Sequence, residues 1–299
     1  MSEKLTKSIA SLFRKTPHFK GKFRIAKSIQ NILMGKKDWT EPEFFIRLKN
    51  KTSLYIDVRS KTHLVPFWIG KRDQEIISKM IKHATEGAVI LDVGANIGYY
   101  ALPIAYHLRG KKVSVHAFEP VTSNYESLMK GIHKNQVSDF VVANKIALGD
   151  KAGSIDIIKT EKGNSGNAVL SINNDDFKVD RERETIEMIT FDSYADTNAL
   201  NRCDFIKIDI EGAEIFFIQG SMKAIKQFQP LIFGEFNSYF ISKFGFTILD
   251  VWNLLEPLGY SAYLEDHNRP ATFRKVNLKE GMENVLFVPQ GKEVSLWTA

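Results

Sequence analysis

The sequence predicts an α/β domain built on a mostly parallel sheet with helices on both faces, preceded by an N-terminal extension. Three stretches predict it. Val89-Ile90-Leu91-Asp92-Val93 is an apolar run broken only by Asp92; Gly94 and Gly98 follow at once, then the apolar opening of a helix at Ala101-Leu102-Pro103-Ile104-Ala105. Val113 to Phe118 is a second strand-like run ending in Glu119-Pro120, and Phe205 to Ile208 a third ending in Asp209. Near-continuous apolar strands are those buried on both faces of a parallel sheet, and strand, glycine turn and helix in that order form the first half of a nucleotide-binding βαβ unit.

A chain of 299 residues accommodates one large α/β domain with an extension, and a hydrophobic fraction of 43% suffices for a core. The one cysteine, Cys203, precludes an intramolecular disulfide, fits a reducing compartment and reads as structural. No apolar run approaches the ~18 residues that span a bilayer. Ile9-Ala10-Ser11-Leu12-Phe13 is too short for a signal-peptide core, so the expected location is cytoplasmic. The net charge of +6 is unevenly placed: residues 1–37 hold ten Lys/Arg against Glu3 alone, hence +9, which leaves −3 on the rest.

In chain order, residues 1–37 form a basic amphipathic arm. Leu5, Ile9, Leu12 and Phe13 share one helical face, as do Ile25, Ile29, Ile32 and Leu33, with lysine and arginine opposite. Such helices either lie on anionic membrane surfaces or pack on the domain with a solvated basic side. Nucleic acid is a poor candidate partner, because the arm carries no reading motif. Residues 38–85 form an extension covering the domain. Phe44 to Leu48 and Leu54 to Val58 are strand-like, and Asp73 to His83 is a helix with Ile76, Ile77, Met80 and Ile81 apolar. The catalytic domain is expected over 86–299.

The glycine spacing selects the ligand. A dinucleotide fingerprint is Gly-x-Gly-x-x-Gly, with glycines that let backbone N–H groups close on a pyrophosphate. Here Asn96 holds the middle position and Asp92 precedes Gly94 by two residues. An anionic side chain suits a ligand with a cationic amino group and no phosphate, which is the make-up of S-adenosylmethionine (SAM). Gly94 and Gly98 let the backbone approach closely; Ala95, Tyr99 and Tyr100 belong to the same turn. Glu119, 25 positions after Gly94 at the tip of the second strand, is placed to accept both ribose hydroxyls. Alone it reads equally as a capping or solvated acid.

A helix is expected over Asn124 to His133, then a third strand, Phe140 to Leu148, that brings Ala147 near the adenine. Residues 151–190 break the rhythm: Ser154 to Lys159 is strand-like, Gly163 to Asn167 a turn, Ala168 to Ser171 a short strand, and Asp175 to Glu187 a charged, mobile tip. This reads as a hairpin insertion that helps build a substrate pocket, or as a surface flap.

The fourth strand carries the chemistry. Asp209 falls on the same rim as Gly94 and Glu119. Methyl transfer from a sulfonium is an in-line displacement, and a hydroxyl nucleophile needs a base or a Lewis acid. Asp209, helped by Lys207 or Glu211, suits either job. The absence of Asn/Asp-Pro-Pro-aromatic here favours an oxygen nucleophile over a nitrogen one. Glu214 reads as an acid stabilised by a helix N-terminus. A helix is expected to continue through Ala224. Pro230 to Phe236 is the fifth strand, with Glu235 a candidate second carboxylate for base work or, with Asp209, for Mg²⁺. A helix from Thr247 to Leu258 and strands Gly259 to Leu264 and Asn284 to Pro289 complete the domain, with His267 in a loop between the last two.

Leu91-Asp92-Val93-Gly94-Ala95-Asn96-Ile97-Gly98-Tyr99-Tyr100, Phe118-Glu119-Pro120 and Ile206-Lys207-Ile208-Asp209-Ile210-Glu211-Gly212-Ala213-Glu214 together resemble the FkbM family of SAM-dependent methyltransferases. The likeness covers roughly residues 67–290. It implies a class I, Rossmann-like methyltransferase fold with a seven-stranded sheet, and O-methylation of sugar or polyketide hydroxyls in polysaccharide or related biosynthesis. The expectation is therefore an O-methyltransferase acting on a glycan or other small polyhydroxylated acceptor. The alternatives are a nicotinamide oxidoreductase, or a non-catalytic protein docking on membrane or nucleic acid with a vestigial SAM site. A homo-oligomer is compatible with the sequence.

Overall fold

The computed structural model describes residues 3–17, 19, 21–34, 39–70, 73–161, 164–170, 183–266, 268–292, 294–295 and 297–298. The apolar runs take their places in one sheet. Strands β1 (Glu43–Arg47) and β2 (Ser53–Asp57) pair as a separate antiparallel ribbon. β3 (Val89–Val93), β4 (Ser114–Phe118) and β5 (Val141–Asn144) follow in the main sheet; β6 (Ala147–Leu148), β7 (Gly153–Glu161), β8 (Asn164–Leu170) and β9 (Arg183–Ile189) form a small second one. β10 (Phe205–Ile208), β11 (Leu231–Glu235), β12 (Tyr260–Asp266), β13 (Arg269–Lys275) and β14 (Asn284–Pro289) return to the main sheet. Its order is β13-β12-β14-β11-β10-β3-β4-β5. The five strands from β11 to β5 are parallel, and β14, β12 and β13 are antiparallel. The inner parallel strands are buried on both faces, and β10 is buried at all four positions, whereas the edge strand β5 leaves Val142 exposed.

The helices are α1 (Glu3–Lys15), α2 (Lys22–Met34), α3 (Lys61–Ile69), α4 (Gln74–His83), α5 (Ala101–Leu108), α6 (Thr122–Asn135), α7 (Phe191–Thr197), α8 (Glu214–Gln219), α9 (Met222–Phe228), α10 (Ser238–Ser242) and α11 (Ile248–Leu255). The apolar core divides in two across the sheet. One cluster holds Ile90, Ile104, Val115 and Leu128 with α3 and α4, the other Leu91, Ile206, Phe217 and Val251. The alternation of Ile90 and Leu91 between clusters is the period-two geometry of a strand with helices on both sides.

Several sequence expectations change. The expected third strand breaks after Asn144: its carbonyl accepts from Glu119 N at 3.0 Å, and Ala147–Leu148 leaves to pair with β9. Asn164 to Asn167 is strand rather than turn, because it pairs with β7; Gly163 and Ser171 lie outside the described residues. Arg183 to Glu187, expected in a charged mobile tip, is part of β9, where Ile186 and Met188 point inward and Arg183 and Glu187 outward. Residues 175–182 lie outside the described residues. The helix expected through Ala224 is two helices, α8 and α9, divided at Gly220-Ser221. The sheet has an eighth strand beyond the expected seven, β13, paired to β12 where a loop was expected; His267 lies outside the described residues.

The arm's helices pack against α3. Ala10 and Ala26 are fully buried, Phe13 meets Trp68 edge-on at 6.1 Å, and Arg14 donates to Phe67 O at 2.5 Å. Lys22 is buried too, its ammonium donating to Thr16 O at 2.9 Å and lying over the Phe13 ring. Part of the basic character thus serves docking of the arm on the domain. No helix among the described residues is long and apolar enough to cross a membrane.

Gly220 fits only because it lacks a Cβ, which would overlap the carbonyl of Gly149, just after β6. Its own carbonyl accepts from Asp192 N at 3.0 Å. Gly220→Ala should lower stability to denaturant by about 3 kcal/mol, the upper end of the overpacking range, as measured by urea unfolding.

Candidate active site

The first glycine turn is a knot of committed backbone. Gly94 N and Ala95 N both donate to Phe118 O, at 3.0 and 2.9 Å, which fastens the end of β3 to the end of β4. Asn96 N donates to Glu119 Oε2 at 2.8 Å, Ile97 N to Asn96 Oδ1 at 2.9 Å, and Gly98 N to Ala95 O at 2.8 Å. Gly94 has φ 76° and stands so close to β10 that a Cβ would overlap Asp209 O. A side chain there would need both an unfavourable backbone and a displaced neighbour.

These turns open on a cavity of about 430 Å³. Of the expected cofactor residues, Gly94, Asn96, Tyr99, Tyr100, Glu119, Pro120, Ala147 and Asp209 line it, with Lys207 and Glu211. Asp92, Ala95, Gly98 and Glu235 do not. Asp92 was expected beside the ligand; it stands behind the wall, 1% exposed. Its Oδ2 accepts from Ala101 N at 3.0 Å, which caps α5, and its Oδ1 lies 3.3 Å from the Lys207 ammonium. Burial pushes its carboxyl up and Lys207 pulls it back. Gly98 is a packing position: a Cβ would meet Leu102 Cγ at 2.6 Å and Leu128 Cδ1 at 2.8 Å.

Lys207 is the hub of the charged wall, its side chain only 5% exposed. The ammonium donates to Gly94 O at 3.1 Å, lies 3.7 Å from Asp209 Oδ2, and stands 4.9 Å from the centre of the Tyr100 ring. Glu119 is 4% exposed. Oε1 accepts from Val121 N at 3.0 Å and Asn124 Nδ2 at 3.2 Å. Burial nevertheless pushes its carboxyl up to about 7, against the pull of the Val121 amide. The loop after β10 is held from below by Glu214, fully buried, whose Oε1 accepts from Ile210 N at 3.3 Å and Gly212 N at 3.1 Å.

Sequence reasoning missed part of the lining. Ile155 and Ile157 on β7 and Ile186 and Met188 on β9 give an apolar wall. Ile155 and Ile157 lay in a stretch that reads as strand, whereas Ile186 and Met188 were hidden among charges, and which cavity either pair faces was not readable. Thr62, Asn124, Phe216 and Phe244 also line it, and Tyr99 reaches α3 by donating from its hydroxyl to Thr62 O at 3.3 Å.

Glu235 lines a second cavity, of about 140 Å³, which shares Tyr100, Lys207 and Asp209 with the first and adds Asp73, Glu75 and Glu265. Asp209 and Glu235 therefore reach one space. Among the described residues no three or more His, Cys, Asp or Glu side chains converge as a metal-holding group, so Mg²⁺ finds no built ligand set and no step is assigned to it.

Comparison with known proteins gives a family. Residues 92–262, more than half of the chain, match the model of the methyltransferase FkbM domain. A relative, the hexuronic acid methyltransferase AglP of Haloferax volcanii, is 24% identical over 155 residues, which are 52% of this chain and 58% of the relative. The chain thus spans little more than half the length of that relative. Among solved structures, the methyltransferase FkbM from Methylobacillus flagellatus KT aligns with TM-score 0.45 and 17% identity, covering 69% of this chain and 44% of that one. A SAM-dependent O-methyltransferase from Thermotoga maritima aligns with TM-score 0.40 and 11% identity, covering 84% and 79%.

The raised carboxyl of Glu119 has a measurable consequence. Between its unfolded value of 4.5 and its folded value of about 7, the folded chain holds a proton that the unfolded chain has released. Stability then falls as pH rises through that window, by the linkage of proton binding to folding. Urea unfolding across that range should show the wild type losing stability relative to Glu119→Gln, which has no such ionisation.

Proposed function

The chain belongs to the FkbM methyltransferase family, and we propose that it transfers the methyl group of SAM to a hydroxyl of a sugar or other polyhydroxylated acceptor. The observation that carries this reading is the Asp209 carboxylate on the wall of the cofactor cavity, beside the Lys207 ammonium at 3.7 Å. The acceptor oxygen attacks the methyl carbon in line as the carbon–sulfur bond breaks, S-adenosylhomocysteine leaves, and the hydroxyl proton passes to Asp209. Lys207 orients that carboxylate through the same ammonium that holds Gly94 O. Glu119 takes the ribose hydroxyls: its Oε2 accepts only from Asn96 N among the described residues, which leaves a lone pair for the ligand. The apolar wall of Ile155, Ile157, Ile186 and Met188 suits the adenine. The hexuronic acid relative supports a sugar acceptor.

The arm adds a membrane-facing surface to this reading. Ile9, Phe13, Ile29 and Leu33 pack inward, while Leu12 and Ile32 stay 65% and 78% exposed. Leu5 and Leu12, and Ile25 and Ile32, are each seven residues apart and so form a second apolar ridge on each helix. Lys4, Lys15, Arg24 and Lys27 are exposed beside these ridges. An apolar ridge with flanking cations fits an anionic lipid surface.

Mass spectrometry of glycans and uronic acid oligosaccharides incubated with methyl-labelled SAM tests the acceptor class; label found only on non-hydroxylated acceptors overturns it. In the same assay Asp209→Asn should lower turnover by about 10²–10⁴-fold, the worth of a general base, with SAM affinity by calorimetry unchanged. Sedimentation with phosphatidylglycerol vesicles should carry down the wild type but not Leu12→Asp/Ile32→Asp; equal sedimentation of the two removes the membrane surface.

A further inference from the structure

An acid in the first turn of a helix ordinarily sits in solvent, where the helix dipole stabilises it modestly. Glu214 does not fit that description. It is 0% exposed at the start of α8, and burial of a carboxyl is costly unless fixed donors meet it. The donors are two backbone amides of the loop that follows β10. One oxygen, Oε1, accepts from both Ile210 N and Gly212 N, at 3.3 and 3.1 Å; Oε2 is buried and has no hydrogen-bond partner among the described residues.

The loop so gripped is an unusual one. Asp209 N is anchored to Val93 O at 3.0 Å, and the chain then turns through Glu211 at φ 53° and Gly212 at φ 101°. A Cβ on Gly212 would stand 2.6 Å from the carbonyl carbon of Phe240, so α10 presses on the loop from its other side. A glutamate in the left-handed region is strained and persists only where its surroundings over-determine it. Glu214 supplies that constraint, and the side chains the loop then presents to the cofactor cavity include Asp209 and Glu211.

We propose that Glu214 is a positioning residue of the methyl transfer: its buried carboxyl grips the Asp209–Gly212 loop from behind and fixes where the Asp209 carboxylate stands. The inference rests on the reading of Asp209 as the base. Glu214 itself touches neither donor nor acceptor, and it is absent from the cavity lining.

The test separates reach from charge. Glu214→Asp keeps the acid but is one methylene too short to span both amides, whereas Glu214→Gln keeps the length and an acceptor oxygen. Glu214→Asp should lower kcat for acceptor methylation by about 10²-fold, the cost of an ångström-scale misplacement, with SAM affinity by calorimetry unchanged. Glu214→Gln should restore kcat to near wild type. Amide hydrogen exchange read by NMR supplies a readout independent of the acceptor: Ile210 and Gly212 should exchange slowly in the wild type and in Glu214→Gln, and faster in Glu214→Asp. Wild-type kcat in Glu214→Asp, or a Glu214→Gln as slow as Glu214→Asp, overturns the proposal. Fast exchange of the two amides in the wild type overturns it without any variant. If Asp209→Asn retains full activity while the exchange pattern holds, the reading of Asp209 has failed and the grip on the loop has not.

Discussion

The architecture of the site depends on one buried cation. Lys207 lies on the fourth parallel strand in sequence, next to the first, with its ammonium in contact with Gly94 O, Asp92 and Asp209. An ammonium removed from water is tolerated only where charge and hydrogen bonds replace its hydration, and breaking such a buried pair costs about 3–5 kcal/mol. Here the replacements come from three places: the carbonyl of the glycine turn, a carboxylate that caps α5, and a carboxylate on the cavity wall. Satisfying one lysine therefore fixes the relative positions of the turn after β3, the start of α5 and the end of β10. Close approach of Gly94 to Asp209 O reinforces the same junction from the backbone side. The two cavities meet here, with Tyr100, Lys207 and Asp209 common to both.

Much of this was legible in the sequence because strand ends on one rim of a parallel sheet are easy to mark. Gly94, Glu119 and Asp209 each follow an apolar run, and each lines the cavity. Asp92 shows where such reading stops. An acid just before a glycine turn reads as a ligand contact, and only coordinates reveal that its oxygens are taken by Ala101 N and Lys207. Glu214 does stand in the first turn of a helix, as its place in the sequence suggested, but its full burial follows from tertiary packing that no local pattern records. The insertion was legible as an interruption, but the alternation of Ile186 and Met188 was masked by the charges around them. α3 was hidden by Pro66 inside it and by an apolar stretch without helical amphipathicity; it is buried on several sides, so no polar face marks it.

The arm and the extension show how a peripheral segment connects to the site. α1 and α2 rest on α3, and α3 carries Thr62 into the cavity lining, where the Tyr99 hydroxyl donates to its carbonyl. β8 also runs against α3 and α6. The arm's buried contacts and its exposed ridges thus belong to neighbouring faces of the same helices.

The choice of ligand follows from where the amides of the glycine turn are spent. In a dinucleotide fold, N–H groups of this turn face a pyrophosphate. Here Gly94, Asn96 and Gly98 all keep positive φ, at 76°, 52° and 91°, so the chain path resembles a phosphate loop. Its donors are committed elsewhere. The amides of Gly94 and Ala95 go to Phe118 O, that of Asn96 to Glu119, that of Ile97 to the Asn96 side chain, and that of Gly98 to Ala95 O. A phosphate brought to this turn would find the amides of residues 94–98 already engaged and would stand near the buried carboxyl of Glu119. A cationic, phosphate-free donor meets the reverse situation: carboxylates and carbonyl oxygens already oriented, with their own donors satisfied. Asn96 is what allows this, because it holds the left-handed turn without glycine and spends both its amide and its side chain inside the knot.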